Sequence, residues 1–106
     1  MVYLVSSLLK IEGKIAFYKP EEIEPAQLKK LMHVYGWQSY IQDKRTAEIA
    51  SRVLEMDIEA SEKPLELNES IDIENTFIVW VFVSRIIEED ILMCSFLITT
   101  PVLIEV

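Results

Sequence analysis

Glycine and cysteine are nearly missing from this sequence: 106 residues include only Gly13, Gly36 and Cys94. A dinucleotide-binding fingerprint or a P-loop needs several glycines to let backbone approach phosphate closely, so both are excluded. A single cysteine rules out an internal disulfide and a cysteine-built zinc cage. It also suits a reducing compartment, and a cytoplasmic location is expected. Long apolar runs are absent too. The longest, Phe77 to Val83 and Ile91 to Ile98, are separated by Ser84-Arg85 and Glu88-Glu89-Asp90, whereas a membrane helix needs about 20 successive apolar residues. No spanning segment is expected, and Met1 to Lys10 lacks the charged and apolar regions of a signal peptide.

Positive charge is scarce: 10 Lys and Arg stand against 18 Asp and Glu, a formal net charge of -8. An acidic chain is repelled by the phosphate backbone, so DNA binding is not expected and any nucleotide must meet a local basic spot. What the sequence has in quantity is apolar surface. Hydrophobic residues make up 51% and charged residues 26%, which supports a core and argues against disorder. The length suits one domain, residues 1–106.

Met1 to Leu9 is β-branched and aromatic at its start, and Gly13 precedes Lys14 to Tyr18; the pattern predicts a hairpin-like pair of strands. Pro25 is placed as the first residue of a helix, and Leu28, Leu31, Met32 and Tyr35 form one stripe before Gly36 ends it. A second helix is predicted from Lys44 to about Glu55, with Ala47, Ala50, Val53 and Leu54 on its apolar side and Asp43 at the N-cap. Leu65 to Leu67 reads as a short strand, Phe77 to Ser84 as a strand buried on both faces, and Pro101 to Val106 as the last strand. Ile91 to Thr99 fits a short helix or a strand equally well by period. The whole predicts an α/β (α+β) fold: a mixed, mostly buried β-sheet of about five strands flanked by helices.

Chemistry-bearing residues concentrate around Ser39-Tyr40-Ile41-Gln42-Asp43-Lys44-Arg45-Thr46. Free amides at a helix start, two cations and hydroxyls are the ingredients of a phosphate site. The plain alternative is a capped surface helix with solvated Lys44 and Arg45, and the carboxylate of Asp43 weighs toward it. Arg85 follows the strand at 77–84, where a guanidinium can clamp a phosphate or simply pair with Glu88 or Glu89. Glu88-Glu89-Asp90 reads as a solvated loop, because consecutive carboxylates rarely converge on one ion; no metal and no cofactor are expected. His33 is the only histidine and falls on the polar side of its helix, and Cys94 sits in an apolar run as a buried, inert thiol.

Three stretches resemble the viral ring nucleases, or type III anti-CRISPR proteins, of viruses of hyperthermophilic archaea. Members open with a strand ending in Asn-Ser, here Val5-Ser6-Ser7, in which Ser7 matches and Ser6 replaces Asn. Their central motif has Ser, a hydrophobic residue, Gly-His, then Thr-Ala opening a helix that closes on Leu-Gly. Ser39, Ile41, Thr46, Ala47 and Leu54 match it, while Gln42 and Asp43 stand in for Gly-His and Glu55 follows Leu54. The third motif, an apolar strand followed by Arg, two residues and Glu, is matched by Phe77 to Ser84, Arg85 and Glu88.

The resemblance implies a homodimer that binds cyclic tetra-adenylate, the second messenger of type III CRISPR defence, in a pocket across the dimer interface. It implies a metal-independent cleavage in which a ribose 2'-hydroxyl attacks the neighbouring phosphate. On this carry-over Arg85, Glu88 and Asp43 take the catalytic positions, and Ser6, Ser7, Ser39, Gln42, Lys44 and Arg45 bind the ligand. Asp43 is the departure. Its reference pKa near 3.9, against roughly 6.5 for histidine, makes it a poor proton donor at neutral pH. The expectation is therefore a degenerate member that binds the ring and turns it over slowly or not at all. A composition rich in Glu, Lys and Ile agrees with a hyperthermophilic host. The alternative is a non-enzymatic viral dimer of the same fold that acts on a host or viral protein, favoured by the missing histidine and an apolar content easier to bury in a dimer.

Overall fold

The computed structural model describes residues 1–6, 9–86, 88–89 and 91–104. In chain order the elements are β1 (Val2–Val5), β2 (Lys10–Ile11), β3 (Ile15–Phe17), β4 (Glu21–Glu22), α1 (Pro25–Tyr35), β5 (Trp37–Tyr40), α2 (Lys44–Leu54), β6 (Glu66–Leu67), a 3-10 turn (Ile73–Asn75), β7 (Phe77–Ile86), β8 (Ile91–Thr99) and β9 (Pro101–Leu103).

Alternation in β1 sends Val2 and Leu4 to one side and Tyr3 and Val5 to the other, and Val2, Leu4 and Val5 are buried. A strand buried on both faces belongs in the middle of a sheet. β1 accordingly pairs in parallel with β5 on one edge and β7 on the other, with Val5 opposite both Tyr40 and Trp80. β7 runs antiparallel to β8, and β4 closes the far side, giving a five-stranded mixed sheet in the order β4-β8-β7-β1-β5. The fold is a single-domain α+β arrangement, as the sequence pattern predicts.

Both helices cover one face. Leu28 and Met32 of α1 and Ala47, Ala50 and Leu54 of α2 join Val2, Leu4, Val79, Val81 and Phe96 in one core. Pro25 opens α1, and Gly36 at φ 76 closes it by donating its N–H to the Met32 carbonyl at 2.9 Å. α2 ends on Glu55, which takes the left-handed conformation at φ 53 and ψ 42. Just beyond it the Ser51 hydroxyl accepts the Ile58 N–H at 3.0 Å and lies 2.7 Å from the Ala47 carbonyl, so the exit from the helix is pinned to its own last turns. Among the described residues the opposite face carries no α-helix. Two small ribbons, β2 with β6 and β3 with β9, cover it, and Ile15, Leu65 and Leu67 meet Val5 and Ile78 there.

Three expectations need correction. The strand at 2–5 and the strand after Gly13 do not form a hairpin: β1 pairs with β5 and β7, while β3 pairs with β9, with Ile15 opposite Leu103. Gly13, at φ 93, turns the chain onto the ribbon face, because β1 is taken up on both edges by partners from farther along the sequence. α2 begins at Lys44, as predicted, while Trp37–Tyr40, to which the sequence pattern assigns no element, is strand β5.

β7, finally, is buried on both faces only as far as Val81. Beyond that point it leaves β1 behind and continues with β8 as a two-stranded ribbon, on which Phe82, Leu92 and Met93 are 49%, 45% and 46% exposed. Ile91–Thr99 is therefore a strand, and its Cys94 is half-buried rather than buried, with burial pushing the thiol pKa up. No described helix is long and apolar enough to cross a membrane. Glu105 and Val106, part of the predicted last strand, lie outside the described residues.

Candidate functional site

The chain leaves β1 toward the ribbon face and leaves β5 toward the helical face. Exits to opposite faces from neighbouring parallel strands open a crevice at the carboxyl ends of the strands, the usual ligand position in such sheets. Ser6 stands at this end of β1, and Gln42 and Asp43 link β5 to α2. The Ser6 hydroxyl accepts the Gln42 N–H at 3.1 Å and so closes the crevice across the two strand ends. Ile41, fully buried, anchors the link from below, and its carbonyl accepts the Ser61 N–H at 2.7 Å.

Asp43 is occupied with capping. Its carboxylate accepts the Thr46 hydroxyl at 2.8 Å and the Arg45 N–H at 3.1 Å. The Thr46 hydroxyl first, and then the Arg45 amide, hold its carboxyl below the ordinary carboxylate range. A group so held is ionised at neutral pH and gives up no proton to a leaving oxygen. It also places negative charge where the free amides of α2 would otherwise meet a phosphate. Lys44 and Arg45, both exposed, leave the helix start for solvent.

Ser39 is turned away from this group. It lies opposite Leu4 and lines a cavity of about 300 Å³ with Trp37, Asp57, Glu59, Ala60 and Ser61, where two carboxylates disfavour an anion. On the other side of β5 Tyr40 lines a cavity of about 510 Å³ with Lys10, Lys63, Pro64 and Glu66. The Tyr40 ring lies 5.8 Å from that of Tyr3, whose hydroxyl pKa is raised by burial and by Tyr40 itself. Lys10 Nζ is 3.8 Å from Glu66 Oε1, an exposed and hence weak pair. Sequence reasoning missed Lys10 and Lys63 because neither lies in a motif. They reach Tyr40 only through the pairing of Lys10 with Glu66 in β2 and β6.

Trp80 is the last residue of β7 beside β1, and Arg85, opposite Leu92, lies five residues farther along an extended strand, a distance of about 17 Å. Glu88 is exposed beyond it. Ser7 and Asp90 lie outside the described residues. His33 and Lys29 belong to another place: with Lys30, Met32, Val34, Gly36, Trp37 and Met56 they line a trough of about 870 Å³ at the opposite end of β5. Among the described residues no group of three or more His, Cys, Asp or Glu side chains is placed to hold a metal ion. Comparison with protein families and with curated proteins finds no match to this chain.

Proposed function

We propose that the protein binds cyclic tetra-adenylate as a homodimer and cleaves it slowly or not at all, acting against type III CRISPR signalling by withholding the messenger. The observation that carries this reading is the Tyr40 cavity beside the Ser6 and Gln42 link: an aromatic ring with Lys10 and Lys63 on one wall, at the carboxyl ends of β1 and β5. An aromatic face stacks a splayed adenine and lysines meet its phosphate, the combination by which single-stranded RNA is held. The motif resemblance supplies the ring and the dimer.

On this reading Arg85 and Glu88 are supplied to the crevice by the ribbon of the partner. Asp43, ionised and engaged by Thr46 and Arg45, replaces the proton-transferring histidine of the resembled enzymes, which is why turnover fails before binding does. Replacing both Lys10 and Lys63 by Glu is expected to weaken binding of the ring at least tenfold in a calorimetric titration, with the fold intact by circular dichroism. Unchanged affinity sinks the assignment of this cavity.

A second reading, a dimer that binds a host or viral protein, draws on the exposed Phe82, Leu92 and Met93 of the ribbon. It predicts a partner complex that survives Lys10→Glu and Lys63→Glu and is lost with Phe82→Ser.

A further inference from the structure

The trough at the start of β5 is built where both helices end. Gly36 reverses the chain from α1 into β5, and α2 passes through Glu55 to Met56, so the last turns of α1, Trp37 and Met56 enclose one space of about 870 Å³. Such a volume lies within the range of about 300–1,000 Å³ typical of small-ligand sites. Its floor is apolar. Met32 is buried and Trp37 and Met56 are half-buried, while Val34 stands 72% exposed on the wall. Methionine and tryptophan offer a polarisable surface that adapts to an apolar guest.

The rim carries two cations, Lys29 and Lys30, with His33 beside them, in a chain of net charge -8. Both helices also turn their carbonyl ends this way, each closed by one bond, from the Gly36 N–H to Met32 and from the Glu55 N–H to Ser51, so the lysines must outweigh what negative field is left. Lys29 Nζ lies 3.6 Å from Glu55 Oε2, a carboxylate side chain 82% exposed. A pair so open to water is weak, and a ligand carboxylate can take the place of Glu55. An apolar floor under a cationic rim complements one class of molecule.

We propose that this trough binds a small amphipathic anion, an alkyl chain or aromatic body carrying one carboxylate or sulfonate, with the body on Met32, Trp37 and Met56 and the head at Lys29 and Lys30. The site is separate from the Tyr40 cavity and stands or falls without it.

The test is a titration of the protein, labelled with ¹³C at the methionine methyls, with decanoate below its micellar concentration and with decan-1-ol as the uncharged counterpart. Saturable shifts of the Met32 and Met56 methyls with a still Met93 methyl are expected, with the alcohol at least tenfold weaker. Lys30→Glu should weaken decanoate severalfold, and Glu55→Gln should tighten it by freeing Lys29. The proposal is overturned by no shift at Met32 and Met56, by equal shifts at Met93 on the exposed ribbon, or by equal affinity for acid and alcohol.

Discussion

Asp43 caps α2 through its carboxylate, which accepts the Thr46 hydroxyl and the Arg45 N–H and is thereby held below its ordinary pKa. A carboxyl with a depressed folded pKa contributes stability that is complete above its unfolded value of about 3.9 and disappears as pH falls through the folded one. Asp43→Ala should therefore melt several degrees below the parent at pH 7, and the gap should begin to narrow near pH 4 and close as pH falls through the depressed folded value. A gap that persists unchanged at pH 2 would show that the cap works by shape alone. Ser51 is the other residue with a structural duty, tying the Ile58 amide back to α2. Ser51→Ala leaves a partly buried amide without its acceptor and should cost about 1–3 kcal/mol in a denaturant titration.

Glu55 is the only described non-glycine residue at positive φ. It occupies the helix C-terminal position at which glycine is favoured, and at which the resembled family carries one. Glu55→Gly should raise stability by roughly 0.5–1 kcal/mol, because relief of the left-handed strain outweighs the loss of an exposed pair with Lys29. An equal or lower denaturation midpoint would contradict that balance.

The helices were legible in the sequence because their signals are local: Pro25, Gly36, Asp43 and two apolar stripes lie within a turn or two of what they control. The pairing of β1 was not, since its partners lie about 35 and 75 residues away in sequence and the alternation of Val2 to Val5 is the same whichever strand lies beside it. The ribbon was missed for a related reason. Phe77 to Ser84 is apolar throughout, and nothing in its composition marks the point at which β1 ends and leaves Phe82 without cover. Of the candidate site, Ser6 meets Gln42 across the ends of β1 and β5, while Lys10, Lys63 and Tyr40 meet only through strand pairing.

At the level of the whole molecule the ribbon and the charge set the terms of association. The molecule extends 49 × 27 × 26 Å, and β7 and β8 run beyond β1 as a two-stranded arm with apolar side chains on both faces. Two strands alone are marginal in water and gain from being covered. A second copy suits this arm, whose apolar faces lie close to Arg85 and Glu88 and so present both charge signs to a two-fold mate. On the proposed dimer, the double variant Phe82→Ser and Met93→Ser is expected to sediment as a monomer at concentrations where the parent sediments as a dimer, and to lose the parent's rise of melting temperature with concentration. A parent that sediments as a monomer at the highest concentration removes the dimer from the account.

A calorimetric titration of cyclic tetra-adenylate into the purified protein, followed by chromatography of the mixture, decides whether the protein binds the messenger as proposed. Saturable heat at one ring per dimer, with the ring recovered largely intact and with faster conversion to linear product in Asp43→His, is the predicted result. Absence of heat at the highest protein and ligand concentrations would contradict it, and a search for a protein that binds the exposed ribbon would then follow.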